Sequence, residues 1–96
     1  MTDYRTIKVN KEKLEQMGYG RSFSVCINDQ YFQNISFNDV DFITPDWTIY
    51  FNGLIVMSNI IDEHMKFIIC GSTKKFKSLE EMFIHLEEVG CIEYES

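Results

Sequence analysis

No lysine or arginine occurs between Cys26 and Met65. That middle stretch holds Asp29, Asp39, Asp41, Asp46, Asp62 and Glu63, with no cation to neutralise them. Such an acidic field repels nucleic acid and anionic membrane and attracts basic partners. Direct nucleic-acid binding is therefore not expected. No apolar run approaches the roughly 20 residues that a membrane-spanning helix needs, so no membrane partner is expected either. The opening MTDYRTIKV lacks an apolar h-region, which argues against a secretory signal there. The expected compartment is cytoplasmic, in a bacterium or a host cell.

Cysteine is scarce and badly placed for cross-linking. Cys26, Cys70 and Cys91 are odd in number and widely spaced, which excludes a disulfide framework and points to free thiols. No two of them form the close C-x₂₋₄-C pair of a closed zinc site. The phosphate-cradling patterns GxxxxGK[ST] and GxGxxG are absent, and so is the D-x-[DN]-x-[DN]-G loop that binds calcium. There is no repeat, low-complexity tract or linker. Proline occurs once, at Pro45; it cannot donate to a ladder and marks an edge or a corner. The sequon Asn34-Ile35-Ser36 carries no weight in a cytoplasmic chain. No motif specifies a chemistry, and no cofactor or metal is expected.

What remains is a chain of 96 residues with eight Phe, five Tyr, one Trp and net charge −6. This length suits a single domain, 1–96, with one core. The aromatic content supplies enough apolar surface to offset the entropy of ordering the backbone.

The strongest local signals lie between Trp47 and Cys70. WTIYF, LIVMSNII and MKFIIC are strand-like runs, separated by Asn52-Gly53 and by Asp62-Glu63-His64. Asn-Gly is suited to a two-residue type I′ hairpin, because both central residues need positive φ. The three runs predict a three-strand meander. Upstream, Arg5–Val9 reads as a short strand. Asn10 caps a helix over Lys11–Met17 that turns Leu14 and Met17 inward and stops at Gly18. Phe23, Val25 and Ile27 alternate with Ser24, Cys26 and Asn28, a half-buried strand. Tyr31–Phe37 is a second strand with apolar residues on both faces, and Val40–Ile43 pairs briefly before Pro45.

Downstream, GSTKK is a loop. Ser78 and Glu81 form a capping box. Leu79, Met82, Phe83, Leu86 and Val89 make one helical stripe, ended by Gly90, and Tyr94 onward is a tail. The fold expected is a small α+β domain. Its mostly antiparallel sheet, with the Asn52-Gly53 hairpin, packs against a short N-terminal helix and a longer C-terminal one.

Two surfaces stand out as binding candidates. Asp39, Asp41 and Asp46 are interleaved with Phe37, Phe42 and Trp47, an aromatic-and-charge pattern found at protein interfaces. Phe37 and Phe42 fit the core, while Trp47 is the candidate anchor. On the last helix Glu80, Glu81, Ile84, Glu87 and Glu88 share the face opposite the core stripe. Ile84 there is either a contact ridge or is covered by the tail at 91–96. Glu87 and Glu88 oppose the helix dipole by about 0.3–1 kcal/mol each.

The first expectation is therefore a non-enzymatic interaction protein. Asp39, Asp41, Asp46, Trp47, Glu80, Ile84, Glu87 and Glu88 would occlude a basic surface of a larger nucleic-acid-handling protein, as immunity or phage anti-defence inhibitors do. The alternative is a small enzyme or ligand-binding domain using His64, Cys70 or an Asp-lined pocket. A third expectation is a homo-oligomer built through the edge of the Trp47–Cys70 meander.

Overall fold

A computed structural model describes residues 4–56 and 63–95, with the backbone alone described for 54–56. The chain forms a small α+β domain of mostly antiparallel strands with two helices. In chain order they are β1 (Thr6–Val9), α1 (Lys11–Gln16), β2 (Ser22–Ile27), β3 (Gln30–Ser36), β4 (Val40–Ile43), β5 (Ile49–Phe51), β6 (Leu54–Val56), β7 (Met65–Ile69), β8 (Lys75–Phe76), α2 (Leu79–Glu88) and β9 (Ile92–Glu95).

The strands divide into two antiparallel layers. One is a sheet in the order β3-β2-β7-β8. In the other, β4-β5-β6 is joined to the β1-β9 pair by a bridge between Arg5 and Ile43. That bridge exchanges two main-chain hydrogen bonds, of 2.9 and 2.8 Å. One core lies among these layers and α2. Phe23, Val25, Phe67, Ile69 and Phe76 enter it from the first sheet, and Ile43, Ile49 and Ile92 from the second. Leu79, Met82, Phe83 and Leu86 of α2 complete it.

Local chemistry explains the turns. Asn28 and Asp29 both take positive φ, as do Asn52 and Gly53. Each pair closes a two-residue hairpin whose twist matches the strands it joins. Asn10 caps α1 by accepting from the Lys13 amide at 3.1 Å. Both helices end in the same motif, with a left-handed glycine, Gly18 or Gly90. The glycine amide bonds back to Glu15 or Glu87, and the next amide to Leu14 or Leu86. This satisfies carbonyls that a helix end otherwise leaves open.

The structure departs from the sequence reading at several points. The third run, β7, leaves the meander; it pairs with β2 and β8, while β4-β5-β6 is the three-strand unit. Met65, Phe67 and Ile69 sit opposite Ile27, Val25 and Phe23. A run with one alternating apolar face fits beside any strand of the same period, so adjacency in sequence does not settle its neighbour. The part of LIVMSNII from 57 onward, and Asp62, lie outside the described residues.

Trp47 does not begin a strand: β5 starts at Ile49, and Trp47 sits in the preceding turn at φ +63. Met17 is 37 % exposed instead of inward-facing; it is the C-cap of α1, at the end of the helix. The expected tail is β9, hydrogen-bonded along β1 from Val9↔Ile92 to Thr6↔Glu95. The loop before α2 contains β8, whose Phe76 is buried opposite Phe67. Cys26, placed on the wet face by alternation, is buried. It lies in the ladder between Tyr31 and Lys66, and long neighbours on both sides shield a small thiol.

Candidate functional site

The Asp-rich segment runs from the end of β3 to the start of β5. Ser36 caps a 3-10 turn at Phe37–Asp39 by accepting from the Asn38 amide. This turn buries Phe37 and leaves Asp39 in solvent. In β4, Val40 and Ile43 face the core and Asp41 faces out. Phe42 stacks on Tyr50 with ring centres 4.5 Å apart, and Tyr4 packs against it at 4.7 Å. The aromatics between the carboxylates are thus paired within the chain.

Thr44 to Thr48 is a tight turn. The Thr44 amide donates to the Thr48 carbonyl and the Trp47 amide to the Thr44 carbonyl, at 3.0 and 2.9 Å. The Thr48 amide donates to the Thr44 hydroxyl at 3.0 Å, and that hydroxyl donates to the Asp46 carboxylate. The hydrogen bond from Thr44 holds the Asp46 carboxyl below its usual pKa. A carboxylate with a depressed folded pKa contributes stability above its unfolded value and loses it as pH falls through the folded one. Asp46→Ala should therefore lower the melting temperature at pH 7. The gap to the parent should close below about pH 4, near the ordinary aspartate pKa; a gap constant from pH 7 to pH 3 would remove charge from the explanation.

Trp47 holds a left-handed backbone that is uncommon for a bulky residue, and its ring accounts for this. It stacks on Phe83 at 6.4 Å and meets Tyr94 edge-on at 6.4 Å. The Arg5 guanidinium lies 4.3 Å from the Trp47 ring centre and 4.9 Å from that of Tyr94, a geometry favoured by the ring quadrupoles. Burial pushes the Tyr94 phenol up to about 12, with Glu87 adding to the shift and Arg5 opposing it. Trp47 is half-buried, and its ring is engaged within the chain.

On α2, Ile84 is 39 % exposed, and residues 92–95, instead of lying over it, form β9 and pair with β1. Glu81, Glu87 and Glu88 are exposed and Glu80 is half-buried. The capping box is displaced by one residue: Ser78 accepts from the Glu81 amide as expected, but Glu81 reaches back to the Lys77 amide. The GSTKK loop therefore leads into a helix end where the Ser78 hydroxyl already takes the Glu81 amide.

The cysteine and histidine candidates are dispersed. His64 precedes β7 and Cys70 follows it, so an extended strand holds them about 20 Å apart. Cys91 is buried, and burial raises its thiol pKa. His85 Nε2 lies 2.9 Å from the Tyr19 hydroxyl. Burial lowers the His85 pKa, and Lys74 adds to that effect while Glu88 opposes it. Among the described residues no group of His, Cys, Asp and Glu is arranged to hold a metal ion. No described helix is long and apolar enough to cross a membrane.

The structure adds a feature that sequence reasoning missed. Tyr31 and Phe32 are 76 % and 70 % exposed, side by side on β3. The β2–β3 register passes from Val25↔Gln33 to Cys26↔Tyr31, leaving Phe32 as an extra residue. The signal in sequence was the apolar content on both faces of this strand, which a bulge resolves by moving side chains out of alternation.

No family model, curated protein or solved structure matches the chain.

Proposed function

We propose that the chain is a small acidic protein-binding module that acts without catalysis. It occludes a basic surface of a larger nucleic-acid-handling protein, in the manner of an immunity or anti-defence inhibitor. One observation carries this reading. Asp39, Asp41, Asp46, Glu87 and Glu88 are exposed, and among the described residues none of them is in an ion pair. No cation among the described residues pairs with these carboxylates, and an acidic face both steers a basic target and competes with nucleic acid for it. Asp46 also supports its own turn, so Asp39 and Asp41 are the cleaner probes.

The test retains proteins from native lysate on the immobilised chain at low salt and releases them at high salt. Asp39→Lys with Asp41→Lys should change stability by no more than about 0.5 kcal/mol, as for other exposed positions. Affinity for the salt-released target should fall at least about tenfold. Equal retention by the parent and the double variant would reject the acidic face as the binding surface.

A further inference from the structure

β3 is an outer strand of its sheet. The main-chain groups on its outer side face no strand among the described residues, and such an edge is a template for an incoming strand. Proteins blunt edges with charge, proline or brevity. β9, an outer strand of the other layer, carries Glu93 and Glu95. β8 is two residues long and carries Lys75. β3 runs seven residues, QYFQNIS, without a charge or a proline.

Its bulge adds a second feature. In regular alternation one of two adjacent aromatics would point into the core. Here both Tyr31 and Phe32 stand outside it. With Ile27, Asn28 and Gln30 they line a shallow hollow of about 440 Å³. Two large rings in solvent contribute little to folding, and paired exposed aromatics are the usual anchors of a docking surface.

Charge selects the occupant. A second copy pairing along this edge would bring together two chains that each carry net charge −6. Like charges facing each other across an interface disfavour that pairing. A cationic strand meets the reverse situation. Asp29, at one end of β3, is already paired with Lys75 at 3.3 Å, whereas Asp39 and Asp41, beyond the other end, are exposed and in no ion pair among the described residues.

We infer that the β3 edge receives an extended segment of the target protein, added as a further antiparallel or parallel strand. The segment has β-branched or apolar residues at alternate positions and Lys or Arg towards the end that meets Asp39 and Asp41. Main-chain hydrogen bonds along β3 supply affinity, and the Tyr31–Phe32 hollow and the flanking carboxylates supply selectivity. This rests on the protein-binding reading above and specifies the mode of contact.

The test uses a synthetic peptide, Lys-Val-Thr-Val-Thr-Val-Lys, and its counterpart with Glu for both Lys. Each is titrated into the isotope-labelled chain at low salt, with amide hydrogen exchange and sedimentation velocity in parallel. The expected result is slower exchange at amides within residues 30–36 with the Lys peptide alone, lost in Tyr31→Lys. If Tyr31→Lys fails to fold, Tyr31→Thr removes the ring and keeps a strand former. Equal effects of both peptides, or no effect of either on β3, would overturn the inference. A parent dimer converted to monomer by Tyr31→Lys would overturn it in favour of a second copy. Retention of the lysate target that is lost in Asp39→Lys/Asp41→Lys but intact in Tyr31→Lys would leave the acidic face standing and remove the strand.

Discussion

Phe83→Ala is expected to destabilise the chain by about 3–5 kcal/mol, the range for truncating a fully buried aromatic. Phe83 is fully buried in the middle of α2. Its ring meets Phe23 of β2 edge-on at 6.0 Å and stacks on Trp47 at 6.4 Å. Phe23 belongs to one layer, and Trp47 precedes β5 of the other. Removing the ring opens a cavity where the two layers and the helix meet. It also removes the support that holds Trp47 in its left-handed turn. Collapse into the gap is hindered, because Phe23 is itself braced by Phe37 at 5.4 Å. Urea denaturation followed by far-UV circular dichroism measures the loss. Ile84→Ala is the matched control on the next residue, exposed and expected to cost under about 0.5 kcal/mol. Similar losses for the two variants would mean that α2 is rotated about its axis from the orientation described.

Features governed by residues close in sequence were legible. The caps at Asn10 and Ser78, the stops at Gly18 and Gly90 and the Asn52-Gly53 hairpin all depend on chemistry within a few residues. The stripe of Leu79, Met82, Phe83 and Leu86 was legible because a helix of period 3.6 places them on one face. Pairing between distant strands was not. Nothing local tells β7 to leave β6 for β2, or tells Ile92–Glu95 to return along Thr6–Val9, because both contacts depend on the finished layers. IEYE reads as a polar tail by composition, and only the partner strand β1 makes it a strand. The candidate surface shows the same division. Charge and exposure at Asp39, Asp41, Glu87 and Glu88 follow from pattern. The packing of Trp47 follows from Arg5 and Phe83, far away in sequence, and the exposure of Tyr31 and Phe32 follows from a bulge that alternation does not announce.

Gly71→Ala is expected to cost about 3 kcal/mol, combining a left-handed backbone, worth about 1–2 kcal/mol for a residue with a Cβ, with overpacking of about 1–3 kcal/mol. Gly71 has φ +85, and a Cβ there would collide with the Gly18 carbonyl oxygen. That carbonyl has little room to withdraw. Gly18 is the left-handed stop of α1, and two residues on the Gly20 amide donates to the Cys70 carbonyl at 2.7 Å. Gly53→Ala separates the two contributions. Gly53 has φ +76 and nothing within 4 Å of an added Cβ, so it should lose about 1–2 kcal/mol from the backbone alone. Chemical denaturation of both variants gives the difference. A larger loss at Gly71 would show that the 18–20 loop is firmly seated on the end of β7. Equal losses would show that the loop yields. The distinction bears on the binding edge, because the Cys70 amide donates to the Ser22 carbonyl at 2.9 Å, where β2 begins. Among the described residues β3 pairs with β2 alone, so a loosened β2–β7 end should also speed hydrogen exchange along β3. A strand that is to receive another strand has to be held straight by its neighbour, and Gly71→Ala measures how firmly β2 is held.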